Sequence, residues 1–187
     1  MKLKKGTTLI ELLIVIIILT ILMTAFSSIY VNGIKSSREE FIQTQLQSDA
    51  QTILDRITGD IKLAQGVDAN YNTFVTSENT IILKVPAIDQ SQNFLYTGTD
   101  LLLDRIIYYK HNSELHRVVY ANMASIRYPS NNTNRILSDK VSIFTPTYQP
   151  DMINPVTVTT TLKLSKAVGK VNKFITVVGK AKLRNNL

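Results

Sequence analysis

The chain has 187 residues, 44% of them hydrophobic, and its 21 Lys and Arg against 14 Asp and Glu give a formal net charge of +7. It has no cysteine, which excludes a disulfide framework and any thiolate metal site. The length suits one long helix followed by a single globular core of roughly 120 residues.

The N-terminus is a basic hexapeptide, Met1 to Gly6, followed by the run TTLIELLIVIIILTILMTAFSSIY. From Leu12 to Ile29 no residue is charged, and the polar ones are Thr20, Thr24, Ser27 and Ser28. About 20 apolar residues are what a helix needs to cross roughly 30 Å of hydrocarbon. Glu11 lies at the edge of that run, where an ionised carboxylate costs a few kcal/mol unless something compensates it. Three readings compete. A cleaved secretory signal fits the lysines and the apolar core, but no small-x-small site follows the core cleanly. A plain signal anchor gives no reason for Glu11 or for Gly6.

The third reading uses every residue. The string Lys5-Gly6-Thr7-Thr8-Leu9-Ile10-Glu11-Leu12-Leu13-Ile14-Val15 resembles the type IV prepilin signature. That resemblance implies a peptidase cut between Gly6 and Thr7 on the cytoplasmic side and methylation of the new N-terminus at Thr7. It also implies that Glu11 pairs with a neighbouring subunit's terminal amine, and that Leu12, Leu13, Val15 and Ile16 contribute to assembly. The family usually has Phe or Met where this chain has Thr7, and many major pilins carry a helix-kinking proline that the apolar run here lacks. Removing Lys2, Lys4 and Lys5 with the leader lowers the net charge from +7 to +4. The same lysines place the N-terminus in the cytoplasm and the C-terminal domain outside, a single pass through the inner membrane.

Beyond the membrane the helix is expected to continue. From Phe41 onward apolar residues recur at helical steps as Ile42, Leu46, Ala50, Ile53, Ile57 and Ile61, with polar residues between them. Arg56 and Asp60 are spaced to pair across one turn, and Gly66 reads as the stop. The alternative is two helices broken near Val31-Asn32-Gly33. The expected division is a leader at 1–6, a membrane and filament-core helix at 7–30, its amphipathic continuation at 31–66, and a sheet domain at 67–187.

Residues 67 to 79 are polar and turn-rich and read as a connecting loop. Thr80 to Val85 is a short strand ended by Pro86. Arg105 to Lys110 and Leu115 to Tyr120 flank HNSE and form the clearest hairpin. Asn122 to Arg135 reads as a loop, and Val141 to Tyr148 as a strand interrupted by Pro146. Two longer strands, Val156 to Ser165 and Val171 to Arg184, join around Gly169. The fold class expected from pattern and resemblance together is α+β: a long N-terminal helix, membrane-spanning in its first half, packed on a C-terminal antiparallel sheet. The hairpin through Ile107-Tyr108-Tyr109 and Leu115-His116-Arg117 resembles that of J-type minor pseudopilins of type II secretion and of related minor pilins.

No enzymatic constellation is present in the sequence, and no cofactor is expected. His111 and His116 lack the spacing of a metal pair and read as surface imidazoles. Asp100 and Asp104 lack the ordered ligand series of a calcium loop. No acid follows Asp151, whereas Lys163, Lys166, Lys170, Lys173, Lys180, Lys182 and Arg184 do. Two readings stand for this tail. One is a solvated face with edge lysines that discourage sheet association; the other is a polyanion surface of Lys163, Lys180, Lys182 and Arg184.

The resemblance implies a structural subunit of a type IV pilus-like filament, in secretion, twitching or competence. Its implied partners are other pilin or pseudopilin subunits, a prepilin peptidase and a membrane assembly platform. The alternative is a filament-tip binding module for DNA uptake or adhesion, with nucleic acid as ligand of the basic strands.

Overall fold

The computed structural model describes residues 9–128, 134–152, 155–169 and 171–184. Helix α1 runs unbroken from Leu9 to Leu63, through Gly33 and Gly59. Contacts divide the chain into two units, one ending at Ile42 and one from Gln43 to Leu187.

In the second unit, β1 (Gly66–Val67), β4 (Thr80–Pro86), β7 (Leu103–His111), β8 (Glu114–Tyr120) and β9 (Arg135–Ser138) form an antiparallel sheet in the order β1-β4-β7-β8-β9. A second sheet joins β10 (Val141–Gln149), β11 (Thr157–Val168) and β12 (Val171–Lys182) in that order. Two small hairpins complete the described elements, β2 (Asn70–Tyr71) with β3 (Phe74–Val75), and β5 (Tyr96–Thr97) with β6 (Asp100–Leu101). A long helix followed by antiparallel sheets is the α+β layout expected from the sequence.

The helical stripe is buried as its spacing requires: Leu46, Ala50, Ile57 and Ile61 are at most 1% exposed, and Leu54 joins them. The five-stranded sheet is buried on both faces, so Ile81, Ile82 and Leu83 are all inaccessible, as are Ile106, Ile107 and Tyr108. On the face of Ile82, Ile107 and Val118 the covering layer is aromatic: Tyr71 and Phe74 of the β2–β3 hairpin with Tyr109 and Tyr120. The opposite face meets α1. There Asp60 accepts from the Tyr108 hydroxyl at 2.5 Å and from Arg117 Nε at 3.0 Å, and Arg117 Nε also lies 3.1 Å from the Tyr108 oxygen.

That cluster sets two ionisation states. Burial, then the Asp60 carboxylate beside it, push the Tyr108 phenol well above its ordinary range. Burial opposes the charge on Arg117, but Asp60 and Tyr108 together more than compensate, and the guanidinium's pKa is raised. The helical spacing had suggested that Asp60 pairs with Arg56; instead its carboxylate turns into the sheet, where a desolvated cation is the better partner.

The second sheet meets the same helix closely. A Cβ added at Gly179 of β12 would lie 2.8 Å from Leu54 Cδ1 and 2.9 Å from Thr58 Oγ1, so any side chain there would force Leu54 and Thr58 to shift. The end of the helix is satisfied by strands: Gln65 N–H donates to the Lys84 carbonyl, and Arg184 N–H donates to the Ala64 carbonyl at 2.7 Å. The helix stops at Leu63, shortly before Gly66, and Gly66 itself begins β1, paired opposite Lys84.

Several further expectations are corrected. Residues 67 to 79 hold three short strands, and β9 begins where a loop was expected. Pro146 does not interrupt β10, because β10 is an edge strand and can lack one donor. The β7–β8 turn is only Asn112-Ser113, with Asn112 at φ 54°. His116 is not a surface imidazole: it is 8% exposed, stacks on Tyr109 at 4.7 Å, and holds Asn134 Oδ1 at 2.9 Å through Nδ1.

Candidate assembly helix and basic sheet face

In the first unit the side chains of α1 have no inner side. Leu12, Leu13, Val15 and Ile16 are 57%, 53%, 60% and 54% exposed, and the values stay near these along the run to Ile29. An 18-residue stretch of α1 is strongly apolar with none of it buried, so the helix is long and apolar enough to cross a membrane. A helix that is apolar all round needs an apolar surround on every side. Its two threonine hydroxyls are satisfied within the helix: Thr20 donates to the Ile16 carbonyl at 2.7 Å and Thr24 to that of Ile21 at 2.8 Å.

Glu11 lies in the first turn of α1, where the helix dipole favours a carboxylate. Helical geometry puts Val15 one turn beyond it on the same side, sets Leu12 at about a right angle, and turns Leu13 and Ile16 toward the far side. Gly6 and Thr7 lie outside the described residues.

The cations of the tail do not act as one group. Cross-strand register pairs Thr157 with Lys182, Thr159 with Lys180, and Lys163 with Thr176, so Lys163, Lys180 and Lys182 share the outward face of the three-stranded sheet. The inward face carries Val158, Thr160, Leu162 and Leu164, all buried. Lys166 and Lys173 are opposite each other on that inward side, at its far end. Arg184 leaves the group altogether: its guanidinium lies 5.4 Å over the ring of Phe94, lining a cleft of about 190 Å³ with Leu63, Ile88 and Arg127. Lys170 lies outside the described residues. Phe174 is the one aromatic residue that the sequence interleaves with these cations, too few for a stacking platform; its ring holds Lys163 Nζ at 4.3 Å, a placement set by the Ser165–Phe174 register.

Among the described residues no group of three or more His, Cys, Asp or Glu could hold a metal ion. Asp104 has structural work: fully buried, it accepts from Asn122 N–H, Ser125 Oγ–H and Arg127 Nη1–H at 2.8, 2.6 and 2.9 Å, which pins residues 122–127 to β7.

No curated protein and no solved structure matches the chain. The family model for the prokaryotic N-terminal methylation motif matches residues 1–27. With that match over an apolar helix that leads into antiparallel sheets, the chain carries the N-terminal signature and the α+β layout of the type IV pilin and pseudopilin superfamily.

Proposed function

We propose that this protein is a minor pilin or pseudopilin: a structural subunit anchored in the inner membrane by α1, cut after Gly6 and assembled through that helix into a type IV pilus-like filament. The observation that carries this reading is the all-round apolar exposure from Leu12 to Ile29 behind a single acid, Glu11. Lipid covers such a surface before assembly, and like helices cover it afterwards. In the bundle Glu11 meets the terminal amine of a neighbouring subunit's Thr7, a charge-assisted contact that gains strength in low dielectric. Leu12, Leu13, Val15 and Ile16 supply packing on several sides, as a helix inside a bundle requires.

The division proposed is a leader at 1–6, a filament-core helix at 7–30, its continuation at 31–66 and the sheet domain at 67–187. Lys2, Lys4 and Lys5 hold the N-terminus inside. The J-like subtype draws support from the β7–β8 hairpin, whose Tyr108 and Arg117 meet on Asp60.

The test is the variant Glu11→Ala. It should insert in the membrane, lose residues 1 to 6 by intact mass as the wild type does, and yet be depleted from the sheared-filament fraction. Incorporation equal to wild type would sink the proposed role of Glu11. A full-length species in cells with an active prepilin peptidase would sink the processing.

A further inference from the structure

We propose that the outward face of the β10–β11–β12 sheet is a binding site for a phosphodiester polymer. The register lays out its rungs. Ser165 stands with Phe174; then come Ile143-Lys163-Thr176, Thr145-Thr161-Val178, Thr147-Thr159-Lys180 and Gln149-Thr157-Lys182. Alternate residues along a strand are about 6.8 Å apart and neighbouring strands about 4.8 Å apart. The three lysines therefore span about 20 Å along the sheet, with hydroxyl-bearing side chains on the rungs between them. A flat face of this kind suits a chain of regularly spaced anions better than a single small one.

Charge complementarity decides the ligand class. None of the residues of β10, β11 or β12 is Asp or Glu, and among the described residues no carboxylate pairs with Lys163, Lys180 or Lys182. Lysines that serve only to block edge pairing belong on an edge strand. Lys180 and Lys182 are on the edge strand β12, but Lys163 stands on the central strand, where it blocks nothing. Its ammonium is held over the exposed ring of Phe174 by cation–π attraction, which limits the freedom lost on meeting an anion. The apolar members Ile143, Phe174 and Val178 are separated by Thr and Lys, so the face lacks the continuous apolar centre of a protein–protein contact. Binding here is a property of the sheet domain and stands whether or not the filament reading does.

The experiment uses the full chain in detergent and fluorescence anisotropy with three labelled probes: single-stranded DNA, a poly(glycerol phosphate) and poly-glutamate. Both phosphodiester probes should bind with log K falling against log[salt] at a slope of about −2 to −3, as three phosphate contacts give. A preference for one of the two names the source of the polymer. Lys180→Gln with Lys182→Gln should lower affinity at least tenfold at low salt and reduce the slope by about 2. Phe174→Leu should weaken binding with net charge unchanged, and Lys163→Gln serves if that variant melts early. Lys110→Gln, on β7 of the other sheet, should change nothing beyond its charge-independent baseline. Absence of phosphodiester binding at low salt, an unaltered slope in the folded double-lysine variant, or equal binding of poly-glutamate would overturn the proposal.

Discussion

Removing the carboxylate of Asp60 tests the junction between helix and sheet. In Asp60→Ala, Arg117 keeps its charge and Tyr108 its hydroxyl, but both lose the acceptor they share. Side-chain exposure is only 15% for Asp60 and 18% for Arg117, so water replaces that acceptor poorly. Breaking a buried pair costs about 3–5 kcal/mol. The residual exposure puts this case at the lower end, about 3 kcal/mol. For a domain of this size each kcal/mol lowers Tm by roughly 3–4 °C, so Asp60→Ala should melt about 10 °C early. Near-UV circular dichroism is the assay: the chain has no tryptophan, and of its eight tyrosines only Tyr30 precedes the sheet unit, so the signal reports on that unit even with α1 in a micelle. Asp60→Asn, which keeps an acceptor without the charge, should fall between. The double variant Asp60→Leu with Arg117→Met should lose less than the sum of the two single changes, because no orphaned charge remains. A shift under about 3 °C for Asp60→Ala, or strict additivity in the pair, would refute the reasoning.

Two further outcomes are expected. Gly179→Ala forces a methyl into Leu54 and Thr58 and should cost about 1–3 kcal/mol in a thermal melt, and combined with Leu54→Ala it should lose less than the sum of the two single changes; additive losses would show that the contact is not the cause. Above pH 10 the protein should lose stability. Burial raises both Tyr108 and Tyr148, so the unfolded chain releases those protons first and the folded chain holds them. The loss should be about 1.4 kcal/mol per pH unit for each group once pH exceeds the ordinary phenol value near 10, and Tyr148→Phe should remove one share of it. Urea midpoints flat between about pH 9 and 12 would contradict this.

What the sequence made legible was whatever repeats. The stripe through Leu46, Ile53, Ile57 and Ile61 recurs at helical steps, and burial follows it. The strands from Arg105 to Tyr120 and from Val156 to Arg184 are long enough for alternation to show, and they pair as expected. The two-residue strands at Asn70–Tyr71 and Phe74–Val75 have no period to read, and their reason for existing is the aromatic contact with Tyr109 and Tyr120. Long-range choices were equally hidden. Asp60 has Arg56 one turn away, yet its partner is Arg117, 57 positions on. The basic tail looked like one group of seven, but strand parity sends Lys166 and Lys173 to the other side and Phe94 draws Arg184 away.

The position of Asp60 also bears on how such a subunit carries tension. Force applied along the backbone of α1 must leave it before Leu63. Asp60 stands one turn from the helix end, where it links the helix to Tyr108 and Arg117, direct cross-strand partners on β7 and β8. Both strands lie inside the five-stranded sheet, not at its rim. Force that reaches the end of the helix therefore falls on two interior strands at once, together with the Arg184–Ala64 bond at the helix terminus.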